Sequence, residues 1–164
     1  MSKTEYVYFQ ALGQDSHRFS SDPLRPLYLG GVLIPDEASL EGNSDADVIL
    51  HALVNALSGL SAVIVLGAVA NDMCAEGITD SKAYVEEALK TLGEIELLHL
   101  SFTVETAKPK LLPHIPAMRQ AIAELTGLPL RSVAITATSG EGLTAFGRGE
   151  GIQAFCLASA RRPD

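Results

Sequence analysis

Residues 95–105 read IELLHLSFTVE. This apolar run, with its β-branched and aromatic members, predicts one long strand. The chain changes period on both sides of it. Upstream, Thr79 or Asp80 is placed to cap a helix near 80–92, with Gly93 as its stop. Downstream, Pro109 and Pro113 punctuate a loop, a helix spans roughly 115–126 up to Gly127, and RSVAITAT at 131–138 is the next strand. Strand and helix alternate, which predicts an α/β architecture with helices packed on a mixed sheet.

The flanking sequence extends the pattern. EYVYFQALG at 5–13 and LYLGGVLI at 27–34 read as strands, the second with a Gly pair that suggests a bulge. Between them, Ser20–Arg25 is a polar, Pro-containing turn. A helix near 46–59 carries Leu50, Leu53, Val54 and Leu57 at the i, i+3, i+4, i+7 spacing of one apolar stripe. After the Gly-rich turn SGEGLTAFGRGEG, GIQAFCLAS at 151–159 forms the last strand. No repeat or low-complexity linker interrupts residues 1–164, so one domain is expected.

Composition narrows the function classes. With 47% hydrophobic residues the chain is expected to bury a packed core. Its net charge of -8 disfavours nucleic acid and anionic membranes as partners. The apolar run around Ser61–Val69 is too short for a membrane span, and no secretory signal pattern opens the chain. Cys74 and Cys156 do not form a CxxC pair, which points to reduced thiols and a cytoplasmic location, with Cys156 a small core hydrophobe. An acidic protein can still handle phosphates if a metal ion supplies the positive charge.

One constellation has metal-binding chemistry. Asp15 and His17 in GQDSHRF lie two residues apart, so an extended segment presents both on one face. His51, on the 46–59 helix, could supply a third ligand, and three N/O ligands with an open fourth position suit a catalytic zinc. Asp47 is four residues from His51 on the same helix and is a candidate to orient its ring, while Ser44, Asp45 and Asp47 all favour a helix start, with Asp45 the preferred cap. In the Gly-rich turn, Thr138 and Ser139 could surround a phosphate and Glu141 could bind a hard divalent ion. No GK[ST] follows these glycines, so the turn is not a Walker A motif.

Taken in order, GQDSHRF, LGGVLIP, NSDADVILHA, the DS of TDSKAYVEEAL, PKLLPHIPAMR, ITATSGEGL and FGRGEGI resemble the 2-C-methyl-D-erythritol 2,4-cyclodiphosphate synthase family across nearly the whole chain. The resemblance implies a ferredoxin-like α/β fold, with helices on one face of a mixed sheet, assembled as a homotrimer with active sites between subunits. It implies zinc (Zn2+) at Asp15, His17 and His51, and Mg2+ or Mn2+ contacted by Glu141. The implied reaction is attack of the 2-phosphate of a CDP-linked methylerythritol on its own β-phosphorus, releasing CMP. Asn43 and Ser139 fall at catalytic positions. Asp15, Ser16, His17, Asn43, Ser44, Thr138, Ser139, Glu141 and Arg148 fall at substrate positions, and Pro109, Lys110, Leu111 and Leu112 at the cytosine pocket. Arg148 and Glu150 match residues near a central channel that holds an isoprenoid diphosphate in some members.

The departures from the family pattern cluster on the nucleotide side. Asn43 replaces a His, and Asn donates a hydrogen bond but carries no charge. Residues 67–70 read GAVA where the family has GDIG, so Ala68 cannot grip ribose hydroxyls, and the loop that follows is shorter. Ser139 stands for a Thr, Thr136 for a Lys, and the Phe expected at Ala145 falls at Phe146. Besides the synthase, two readings follow: a paralogue using another nucleotide diphosphate, and a non-catalytic trimer that binds isoprenoid diphosphates.

Overall fold

The computed structural model describes residues 5–164. Strand β1 (Tyr6–Arg18) runs through the Asp-x-His segment without a break. It pairs along its whole length with β6 (Gly151–Pro163), antiparallel, Gly13 opposite Cys156. β6 also pairs antiparallel with β4 (Glu96–Glu105), the strand predicted at 95–105. β4 pairs in parallel with β5 (Val133–Thr138), giving the sheet order β1-β6-β4-β5.

The parallel β4–β5 pair, beside two antiparallel pairs, makes the sheet mixed, as expected. Its cause is α4 (Ile115–Thr126), a crossover helix that returns the chain to the end where β4 began. Gly127 closes that helix at φ 72, as predicted.

The Gly pair is a turn and not a bulge. Gly30 (φ 60) and Gly31 (φ 78) split the expected 27–34 strand into the hairpin β2 (Leu27–Leu29) and β3 (Val32–Ile34). Positive φ at two successive residues is the geometry of a tight hairpin turn, which Gly adopts without steric cost.

Helix α1 (Val48–Ser61) packs on the inner face of β1 and β6. That face is built from small and medium side chains, with Ile152, Ala154, Cys156, Ala158 and Ala160 all buried along β6. Burial raises the Cys156 thiol pKa, as befits a core residue. At Gly13 the packing is tightest: a Cβ there would lie 2.1 Å from the carbonyl oxygen of Ala52 and 2.3 Å from the nitrogen of Ala56. Helix α2 (Ala68–Ala75), which the sequence reading missed, crosses the region read as GAVA, and α3 (Ser81–Lys90) begins after the Asp80 cap. Among the described residues, no helix is long and apolar enough to cross a membrane.

Among the described residues, no helix packs on the opposite face of the sheet. Tyr8 (65% exposed), Leu12 (64%), Phe155 and Leu157 lie bare on it, with Leu12 directly opposite Leu157.

Gly13→Ala is expected to destabilise the chain by about 3 kcal/mol, because backbone and not a movable side chain occupies the space a methyl would need. Urea unfolding monitored by circular dichroism measures it.

Candidate functional site

Strand alternation turns Asp15 and His17 toward α1, and turns Ser16 to the other face of β1, where it is exposed. The first turn of α1 brings His51 over the pair. The Asp15 Oδ2 lies 2.9 Å from His17 Nε2 and 3.1 Å from His51 Nδ1, and the two ring nitrogens are 3.2 Å apart. One ligand atom from each residue thus falls within 4.8 Å of the others. Ligand bonds of about 2.0–2.1 Å in a tetrahedral zinc site put the ligand atoms roughly 3.3–3.4 Å apart. The spacing and the N/N/O donor set fit a small divalent cation with little movement.

Electrostatics tie the group together. Burial raises the Asp15 pKa, but hydrogen bonds with His17 and His51 and their charges outweigh it and hold the carboxyl at about 2. Burial lowers the His17 pKa, yet the hydrogen bond and charge of Asp15 outweigh burial and leave it raised, against the opposing charge of Arg25. The Arg25 Nη2 donates to the carbonyl oxygen of Ser44.

The α1 start differs from the sequence expectation. Asp47, not Asp45, is the N-cap, accepting from the Leu50 nitrogen at 3.0 Å. The same buried carboxylate accepts from the nitrogens of Gly30 (2.9 Å) and Gly31 (2.7 Å), pinning the β2–β3 turn to the helix. Asp47 is therefore fully engaged with backbone and does not orient His51. The His51 Nε2 instead meets Ser81 Oγ at 2.9 Å and Ser44 Oγ at 3.3 Å. Ser81 is the Ser of the DS motif in TDSKAYVEEAL, to which the sequence reading gave no role of its own.

Asp15, His17, Asn43, Ser44 and His51 line one cleft of about 200 Å³. Gly67, Ala70, Asn71 and Cys74 from α2 and its start form the opposite wall, and the Cys74 thiol donates to the Asn43 carbonyl at 3.1 Å. Pro109, Lys110, Leu111, Leu112, Thr138 and Ser139 line a second hollow of about 300 Å³. Leu111 is buried and Leu112 is 79% exposed. Arg148 lines a third hollow with Phe19 and Lys108. Glu141 lines none of these; it is exposed, in a left-handed conformation at φ 50. A larger hollow of about 650 Å³ between residues 20–27 and 33–38 is walled by loops and excludes the Asp/His/His group.

Replacing Asp15 with Asn is expected to return the His17 titration toward its ordinary value in chelator-treated protein, followed by proton NMR. The sign follows from the two shifts. Stability from raised His17 is fully present below the ordinary His value and is lost as pH rises through the raised one. Stability from depressed Asp15 is lost only as pH falls toward about 2. The stability gap between parent and variant should therefore be widest between those limits and narrow in alkali.

A sequence model of the YgbB family matches residues 9–161. The 2-C-methyl-D-erythritol 2,4-cyclodiphosphate synthase of Chlamydia muridarum (strain MoPn / Nigg) is 47% identical over 156 residues, which cover 93% of this chain and 88% of that protein. A solved structure of 2C-methyl-D-erythritol-2,4-cyclodiphosphate synthase in a CDP-bound form matches with a TM-score of 0.81 at 30% identity, over 92% of this chain and 98% of its own. The bifunctional IspDF of Campylobacter jejuni matches with a TM-score of 0.88 at 28% identity over 98% of this chain, which spans 44% of that longer protein.

Proposed function

The chain belongs to the YgbB family, and on that premise we propose that it is a 2-C-methyl-D-erythritol 2,4-cyclodiphosphate synthase. Its substrate is 4-diphosphocytidyl-2-C-methyl-D-erythritol 2-phosphate. A 2-phosphate oxygen attacks the β-phosphorus, one P–O bond forms, the bond to CMP breaks, and the cyclic diphosphate results. The observation that carries this reading is the Asp15–His17–His51 group, whose ligand atoms all lie within 4.8 Å.

The chain must bring two anionic groups together, so its work is positioning and charge compensation. Asp15, His17 and His51 would hold zinc, and Glu141 would contact Mg2+ or Mn2+. Bound metal supplies Lewis acidity toward the β-phosphate and offsets the diphosphate charge. The Asn43 amide, beside the metal group in the same cleft, donates to a phosphate oxygen where a charged His would otherwise stand. Thr138 and Ser139 present hydroxyls to phosphate, and the adjoining 109–112 segment holds cytosine.

Two observations support a homotrimer. The cleft that would hold the metal and the hollow that would hold cytosine are separate within one chain, so a second copy can complete the site. The bare face carrying Tyr8, Leu12, Phe155 and Leu157 is also the kind of apolar surface that association buries. In that assembly Arg148, with Lys108 and Phe19, is suited to an isoprenoid diphosphate. The changed nucleoside grip is the specific reason to test other bases: Ala68 opens α2 and offers no side-chain hydrogen bond to a ribose.

Purified protein with the CDP substrate and divalent metal is expected to release CMP. His51→Ala should abolish release, and Asn43→Ala should lower kcat about 100-fold. No CMP above the His51→Ala background would overturn the proposal, and equal turnover of non-cytidine analogues would favour the paralogue. The paired change Leu12→Lys with Leu157→Lys is expected to convert trimer to monomer in analytical ultracentrifugation and to remove CMP release.

A further inference from the structure

Ser81 is the first residue of α3 and is fully buried, and His51 is 8% exposed beside it. Their polar atoms form a short chain. Asp45 Oδ2 accepts from the Ser81 nitrogen at 2.9 Å, and Asp45 Oδ1 accepts from the Ser81 hydroxyl. The same Ser81 oxygen lies 2.9 Å from His51 Nε2. Asp45 is itself held at both ends of its backbone surroundings: its nitrogen donates to the Thr79 carbonyl at 2.9 Å, and its carboxylate takes the Asp47 nitrogen at 3.1 Å.

A count of protons settles the direction of this chain. A carboxylate only accepts, so the single hydroxyl hydrogen of Ser81 goes to Asp45. The Ser81 oxygen then has only lone pairs to offer His51. Nε2 must therefore carry a ring hydrogen, for which Ser44 Oγ, 3.3 Å away and already accepting from the Ala46 nitrogen, is a second acceptor. Nδ1 faces His17 and the Asp15 carboxylate, which accepts from it at 3.1 Å, and a bound cation would take the place of that Nδ1 hydrogen.

We propose that Ser81 and Asp45 are positioning residues that hold the His51 Nε2–H and so present Nδ1 as its ligand atom. The inference rests on Asp15, His17 and His51 being a metal site. It assigns a role to two polar residues outside the Asp15–His17–His51 group. It also explains why a helix whose start is already capped by Asp47 carries a second carboxylate two residues earlier. Losing such an outer partner typically costs about 10–100-fold in metal affinity.

The test uses the parent, Ser81→Ala, Asp45→Asn and His51→Ala. Zinc affinity is measured by competition with a chromophoric chelator, and the His51 ligand nitrogen and ring N–H by ¹⁵N NMR of the zinc-loaded proteins. Expected is zinc on Nδ1 with a hydrogen on Nε2 in the parent, a shifted Nε2–H resonance in the Ser81 and Asp45 variants, and zinc binding weakened about 10–100-fold in both. A role in folding alone would lower thermal stability and leave both readouts unchanged. Zinc on Nε2 in the parent overturns the inference, as does zinc affinity in both variants within about two-fold of the parent, well short of the usual outer-partner loss. The parent spectrum decides even if a variant fails to fold. His51→Ala separates the two levels: if it loses zinc while Ser81→Ala keeps it, the metal-site reading stands and this inference falls. If His51→Ala binds zinc like the parent, both fall.

Discussion

Helix α1 lies so close to strand β1 that Gly13 faces the backbone of Ala52 and Ala56 with no room for a methyl group. The metal group depends on that approach. His51 comes from the helix, and Asp15 and His17 from the strand, so their separation is the separation of two backbones. The buried Ala154, Cys156 and Ala158 along β6 keep the neighbouring surface low enough for the helix to settle. A bulkier floor would lift α1 and open the ligand spacings of about 3 Å beyond the reach of one small cation.

A second set of interactions fixes the helix along its axis. Asp47 joins the N-terminus of α1 to the Gly30–Gly31 turn, and Asp45 joins the preceding residues to the start of α3. Each carboxylate is spent on backbone or hydroxyl donors, which is how buried acids are kept in a chain of net charge -8. The consequence for function is a rigid, acid-lined frame whose unspent donor atoms converge on one point. Such a frame needs a cation before it can accept a phosphate.

What was legible in the sequence was local. Period-two reading put Asp15 and His17 on one side of a strand, and the Leu50–Leu57 stripe put a helix after them; both hold. Proline and glycine marked the ends of α4 correctly. The strand across 27–34 failed because Gly30–Gly31 was taken as a bulge, when two positive φ angles reverse the chain. Helix α2 was hidden because its eight residues show a single buried side chain, Ala70, and so no apolar stripe. The orienting partner of His51 was sought four residues away on its own helix. Sequence spacing reveals such neighbours, whereas Ser81 arrives from a different helix. Parallel pairing of β4 and β5 was likewise a matter of where α4 returns the chain.

The central claim is that a metal ion joins α1 to β1 through Asp15, His17 and His51. Anomalous scattering at the zinc edge from a zinc-loaded crystal tests it most directly. The account predicts one strong peak bonded at about 2.0–2.1 Å to Asp15 Oδ2, His17 Nε2 and His51 Nδ1, the usual range for zinc with carboxylate and imidazole ligands. A peak elsewhere, or a coordination shell that lacks His51, would contradict it.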